Sequence, residues 1–220
     1  MKILVIGDSY GLPRFMKDSL VVELKYTETY PEILRKLLAK YTHQDITLVN
    51  HCNNFNTTKS LVKNEVREIL FLKPDFVIVQ LGLGDFWPRG AKNSDEILDL
   101  EPRVDEVNFK RNLELFIECV ENFKSKVILV DLPCITSING GEKFQNVIRE
   151  RLESYKNILI EVAKVNNLEF VELSTNFKQA VREKEFVSSD GVFLTPQGSL
   201  QVALAILTKI LQIICADNYY

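Results

Sequence analysis

Lys2-Ile-Leu-Val-Ile-Gly-Asp-Ser9 sets a short run of apolar residues directly against a small polar turn. A run this short, apolar on both faces and closed by Gly7, reads as a central strand of a parallel sheet. The same signature recurs in Asp45-Ile-Thr-Leu-Val49 and in Asp75-Phe-Val-Ile-Val-Gln-Leu81, which follows Pro74. Lys126-Val-Ile-Leu-Val130, stopped by Pro133, and Leu168-Glu-Phe-Val-Glu-Leu173 complete five predicted strands.

Helical periodicity fills the gaps between them. Thr29-Tyr-Pro-Glu32 reads as a capping box, with Ile33, Leu34, Leu37 and Leu38 turned inward. Thr57 or Thr58 starts a second helix, with Leu61, Val62, Val66, Ile69 and Leu70 on one face. Phe109, Leu113, Phe116, Ile117, Val120 and Phe123 form a third stripe; Ile148, Leu152, Tyr155, Leu159 and Val162 form a fourth. Thr195-Pro196 places a cap and a first-turn proline at the head of the last helix. Alternation of this kind predicts one domain spanning 1–220, a three-layer α/β/α sandwich around a mostly parallel five-stranded sheet. In such folds sites form at the carboxyl ends of the strands.

The composition bounds the function classes. The chain has 220 residues, 46% hydrophobic and 26% charged, with a net charge of −3. That is ordinary globular composition and no electrostatic footprint for nucleic acid. The first apolar run ends too early for a signal peptide, and Leu200 to Ile214 reads as too short to span a bilayer. Four scattered cysteines, with no CxxC spacing, predict free thiols in a reducing cytoplasm and no metal centre. Leu200 to Ile214 is apolar almost all round, which predicts burial or a homodimer contact. There are only two histidines, His43 and His51, so a mechanism needing an imidazole base has few places to find one.

Polar stretches follow the strands. They are Gly7-Asp8-Ser9-Tyr10-Gly11-Leu12-Pro13-Arg14; Asn50-His51-Cys52-Asn53-Asn54-Phe55-Asn56-Thr57; and Gly82-Leu83-Gly84-Asp85-Phe86-Trp87-Pro88-Arg89. Ser189-Asp190-Gly191-Val192-Phe193-Leu194-Thr195-Pro196 precedes the last helix. From residue 7 to residue 198 this order resembles the SGNH, or GDSL-like, hydrolases. The resemblance implies Ser9 as nucleophile and Asp190 as the acid of the D-x-x-H block. It also implies an oxyanion site from backbone N–H groups and an asparagine side chain, no cofactor, and an ester substrate.

Departures from the pattern are as informative. Phe193 stands where the family has its histidine, Gly84 where it has its asparagine, and Phe55 where it has the glycine of the second block. A serine hydroxyl is a poor nucleophile until a neighbouring base accepts its proton, and losing one oxyanion donor typically costs about 10²–10³ in rate. Three replacements offer themselves: His51 past the second strand, Asp190 itself, and Asp85 working with either. Asp8 would shape the pocket. Gly7 to Arg14 and Gly84 to Arg89 both run from Gly-Asp to Pro-Arg, so Arg14 and Arg89 read as a fork for a substrate carboxylate or phosphate, with Trp87 as a stacking wall. This variant resembles SGNH-like proteins of polysaccharide and natural-product clusters, which implies a carbohydrate-type substrate. His43, in a polar turn, reads as exposed and uninvolved. The acidic stretch Asn93 to Val107 reads as a solvated loop or a lid.

Two main hypotheses follow: an ester hydrolase or acyl-transfer enzyme using Ser9, and a catalytically impaired SGNH-fold protein that binds a small, anionic ligand. A flavodoxin-like nucleotide binder using Asp8 to Gly11 as a phosphate loop is a third; no GxGxxG and no Walker lysine supports it.

Overall fold

The strand β1 (Lys2–Gly7) is the centre from which the sheet grows. After a small antiparallel hairpin, β2 (Arg14–Phe15) and β3 (Val22–Leu24), come β4 (Thr47–Cys52), β5 (Phe76–Gln80), β6 (Lys126–Val130) and β7 (Glu169–Val171). The five-stranded sheet has the order β4-β1-β5-β6-β7, and every neighbouring pair is parallel. The computed structural model describes residues 1–15, 22–89, 100–136, 138, 141–173 and 183–217.

Helices cover both faces of the sheet. α1 (Tyr30–Thr42) and the C-terminal helix (Pro196–Asp217) pack together on one side. α2 (Val66–Leu72), α4 (Glu106–Glu121) and α5 (Glu142–Val165) pack on the other, and a single turn, α3 (Leu83–Phe86), caps β5 against α5. The three central strands are buried on both faces, as their unbroken apolar runs require: Ile3, Leu4, Val5, Ile6, Val77, Ile78, Val79, Ile128, Leu129 and Val130 are all inaccessible. The expected stripes of α4 and α5 face this core, and Thr195 Oγ1 accepts the Gly198 N–H at 3.1 Å as the cap of the last helix.

Four expectations are corrected. β4 continues through His51 and Cys52, so His51 pairs with Ile6 inside the strand and does not lie past it. The capping box at Thr29 does not form: its hydroxyl donates to the Tyr26 carbonyl at 2.8 Å, and Glu32 is drawn to Arg35. The stripe of the second helix slips, because its first turns, Leu61–Glu65, are π-helical. The i→i+5 winding takes in an extra residue per turn and rotates the face. Leu61 and Ile69 stay buried, Val62 and Leu70 emerge, and Glu65 turns inward. Finally, the stretch Pro196–Ala216 of the last helix, 21 residues with a segment of mean hydropathy 1.8, is long and apolar enough to cross a bilayer by length and composition. In the fold it is a wall of the core, with Val202, Ala203, Ile206 and Ile210 inaccessible beside α1.

The strand order places the site. From β1 the chain moves outward to β4 and then returns to β5 on the other side of β1. Loops leaving β1, β4 and β5 therefore meet at one carboxyl edge, the position where open parallel sheets bind ligands.

Candidate active site

Ser9 begins a single 3₁₀ turn, Ser9–Gly11, off the end of β1. Asp8 holds that turn. Its Oδ1 accepts the Tyr10 N–H at 3.2 Å and its Oδ2 the Leu83 N–H at 3.1 Å. The carboxyl is inaccessible, and burial pushes its pKa up to about 7 against the pull of these N–H donors and that of Gly84. Asp8 thus clamps the β1 loop onto the β5 loop.

A second buried carboxyl stands beside it. Asp85 Oδ1 accepts both the Thr58 N–H at 2.9 Å and the Thr58 hydroxyl at 2.7 Å, and Asn112 of α4 donates to that hydroxyl at 3.1 Å. Asp85 Oδ2 is buried with no partner. Burial raises its pKa to about 7, with the Asp8 charge adding to the shift. Asp85 therefore ties the loop after β4 to the loop after β5.

The loop after β4 reaches Ser9. The Phe55 N–H donates to Ser9 Oγ at 3.3 Å. Phe55 has φ +55°, the left-handed region that glycine enters without strain. The left-handed backbone at Phe55 goes with an N–H aimed at the serine. The Phe55 N–H is therefore held against Ser9 Oγ, beside a Ser9 N–H that takes no acceptor among the described residues.

Gly84 shows why the third donor is missing. A Cβ at Gly84 would lie 2.0 Å from the Asn56 carbonyl oxygen. The 55–56 backbone occupies the space that a side chain at position 84 would need, so no asparagine fits while the loop stays where it is.

At the position of the family's histidine, the Phe193 ring meets the Tyr10 ring edge-on, centroids 6.2 Å apart, and the Arg14 guanidinium lies 4.7 Å from its centre. Asp190 Oδ1 accepts from the Ser188 hydroxyl, the Val192 N–H at 2.9 Å and the Phe193 N–H at 3.1 Å. That oxygen is committed to its own turn, whereas Oδ2 takes no hydrogen bond among the described residues. No side-chain base lies within hydrogen-bond distance of Ser9 Oγ among the described residues.

His51 lies elsewhere. Its Nδ1 pairs with Glu65 Oε2 at 3.0 Å, and the two help to line a cavity of about 220 Å³ with Lys63, Asn64, Arg67 and Glu68. Burial raises the Glu65 pKa. Strand alternation explains the separation: Cys52, one residue on, faces Tyr30 of α1, so His51 faces the other layer. His43 is exposed, as expected.

The other expected ligand groups are braced within the protein. Arg14 pairs with Glu23 at 2.9 Å across the hairpin and donates to the Leu194 carbonyl at 3.1 Å. Trp87 packs edge-on against Phe144 of α5, centroids 5.8 Å apart. Arg89 donates to the carbonyls of Pro102 and Arg103. Of the acidic stretch Asn93 to Val107, residues 93–99 lie outside the described residues. No group of three His, Cys, Asp or Glu side chains suited to a metal is present among the described residues. Tyr10, whose hydroxyl is buried without a partner, was not singled out by the sequence, nor was Arg103, whose guanidinium lies 4.4 Å from the Phe55 ring centre. Neither contact has a spacing signal; both join distant segments.

A serine at the end of β1, held by a buried aspartate and faced by an N–H from the β4 loop, is matched over residues 5–199 by the model of the GDSL-like lipase/acylhydrolase family. The chain belongs to that family. Solved structures with the same fold include the lipase/acylhydrolase from Enterococcus faecalis, at 22% identity, TM-score 0.73, covering 95% of this chain and 94% of that one. The acetylxylan esterase Axe2 from Geobacillus stearothermophilus superposes with TM-score 0.73 at 21% identity over 95% and 93% of the two chains. A putative GDSL-like lipase from Parabacteroides merdae gives 0.74 at 16% over 94% of each. A search among curated proteins finds no match. At these identities the structures establish the fold of this GDSL-like chain; its substrate is a separate question.

Proposed function

We propose that this GDSL-like protein is an ester hydrolase or acyl-transfer enzyme with Ser9 as nucleophile, acting on a small O-acylated or carbohydrate-type substrate. The observation that carries the reading is the Phe55 N–H at 3.3 Å from Ser9 Oγ, beside a Ser9 N–H with no described acceptor. Once the hydroxyl attacks an ester carbonyl, the same two donors face the developing oxyanion, and they are fixed before substrate arrives. The base is non-standard. Asp190 Oδ2 is the carboxylate oxygen left open beside Phe193, and it takes the Ser9 proton through one water; a carboxylate is a weak base, so turnover is slow. His51 is engaged by Glu65 and plays no part in this scheme.

The aromatic ring at position 193 favours a second reading, an impaired enzyme that keeps the pocket for binding. One experiment separates them: hydrolysis of p-nitrophenyl acetate and labelling by a fluorophosphonate, with Ser9→Ala as control. Turnover and labelling that both vanish in Ser9→Ala support catalysis. Absence of both in the unaltered protein overturns it and leaves the binding reading.

A further inference from the structure

Several basic side chains pair with acids among the described residues: Arg14 with Glu23, and Arg35 with Glu32. Lys110 pairs with Glu161, Lys156 with Asp131 and Lys209 with Glu169. Three cations, Lys59, Arg89 and Arg103, gather on the segment that Phe55 joins to the Ser9 loop, with no ion pair among the described residues. Lys59 Nζ and Arg89 Nη2 both donate to the carbonyl of Arg103, each at 3.4 Å. Arg103, half-buried, stacks on the Phe55 ring and donates no hydrogen bond to any described residue. The three come from different segments: the loop after β4, the loop after α3 and the strand-like stretch that bridges Pro102 to Pro88. None of them pairs with a carboxylate among the described residues. Buried Asp85 takes its hydrogen bonds from Thr58, and the Lys59 charge acts on it without a direct contact, pulling its pKa down against burial. In a chain of net charge −3, a convergence of three cations with no carboxylate in direct contact among the described residues is a local feature and not a general basic surface.

The cluster is joined to the nucleophile through a single residue. Phe55 gives its N–H to Ser9 Oγ and its ring to the Arg103 guanidinium. Stacking holds the guanidinium plane while leaving its edge N–H groups free, the arrangement that suits bidentate capture of a carboxylate or phosphate. We infer that Lys59, Arg89 and Arg103 form an anion-recognition rim of the Ser9 site, so that the acylated substrate carries a carboxylate or a phosphate beside its ester. This rests on the Ser9 reading for the word substrate, but the rim itself is a binding claim. It moves the anion fork away from Arg14, which is committed to Glu23.

The test is therefore made by binding, with no turnover required. Titration calorimetry of the full chain at low ionic strength compares D-glucuronate, D-glucose 6-phosphate and D-glucose. The expected result is that one or both anions bind at least about tenfold more tightly than glucose, the value of roughly one well-placed ionic hydrogen-bonded pair. Which anion wins tells carboxylate from phosphate. Arg103→Gln is expected to bring the ratio to within about twofold, and added salt to compress it in the unaltered protein. Equal binding of all three, binding of none, or a ratio that survives Arg103→Gln overturns the inference. If Arg103→Gln fails to fold by its thermal melt, the double variant Lys59→Gln/Arg89→Gln carries the test, and an unchanged ratio there overturns it. Ser9→Ala separates the two proposals: it removes hydrolysis if Ser9 is the nucleophile and leaves the anion preference in place.

Discussion

Phe193→His tests whether the frame around Ser9 is catalytic. The ring at this position has two partners, the Tyr10 ring edge and the Arg14 cation. Losing them costs about 0.5–1.5 kcal/mol for the ring pair and about 0.5–1 kcal/mol for the cation contact. The variant should therefore fold with about 1–2.5 kcal/mol less stability, readable as a lower urea midpoint. The backbone is unaffected: the position-193 N–H still donates to Asp190 Oδ1. Asp190 Oδ2 is open to accept from the new imidazole and orient it toward Ser9. A positioned general base contributes typically about 10²–10⁴ in rate, about 3–5 kcal/mol of barrier. The Asp190 carboxylate that orients the imidazole favours its charged form and the nearby Arg14 guanidinium disfavours it, so the two act in opposite directions on its titration. The assay is p-nitrophenyl acetate hydrolysis against pH. The expected result is a gain of at least about 100-fold, rising with pH through roughly 6–7, and abolished by Ser9→Ala in the same background. A folded Phe193→His protein with no gain refutes the reasoning, since it means the ring at 193 does not face the serine.

Two further outcomes follow from the buried carboxyls and the packed loop. Asp8 and Asp85 both have pKa values raised to about 7 by burial, so between roughly pH 4 and 7 the folded chain binds protons that the unfolded chain has released. Their contribution to stability is present below that window and is lost as pH rises through it, by on the order of a few kcal/mol. Urea midpoints should fall from pH 5.5 to pH 8 on this account, and Asp85→Asn should flatten the slope; a midpoint that rises over the range contradicts the assignment. Gly84→Ala drives a Cβ to 2.0 Å from the Asn56 carbonyl, so the loop must move. Overpacking of this kind costs about 1–3 kcal/mol, and because Phe55 shifts with Asn56, fluorophosphonate labelling of Ser9 should slow in parallel. An unchanged labelling rate in a destabilised variant would separate the loop from the nucleophile.

The fold was legible because its signals are local. Five apolar runs and the stripes of α4 and α5 each state their burial within one element, and a strand buried on both faces has few other places to go. The slipped stripe at Leu61–Glu65 was not legible, since a π-helical turn leaves the spacing of apolar residues looking regular while rotating it against the core. Ser9, Asp8, Phe55, Gly84 and Asp85 were nameable because each sits within a few residues of a strand end, where the topology must bring them together.

What the sequence determined by itself is the scaffold, the family and the residues, Ser9 among them, that stand at the strand ends. What the tertiary structure alone decided is which groups meet. It put His51 with Glu65 in another layer, because one residue along a strand reverses the face. It committed Arg14 to Glu23 through a hairpin that no alternation pattern announces. It gathered Lys59, Arg89 and Arg103 around one carbonyl, from segments with no shared spacing. Burial, register and close approach are properties of the assembled chain: the Phe55 N–H finds Ser9, and the Asn56 backbone fills the room of a missing side chain, only once β1, β4 and β5 lie edge to edge.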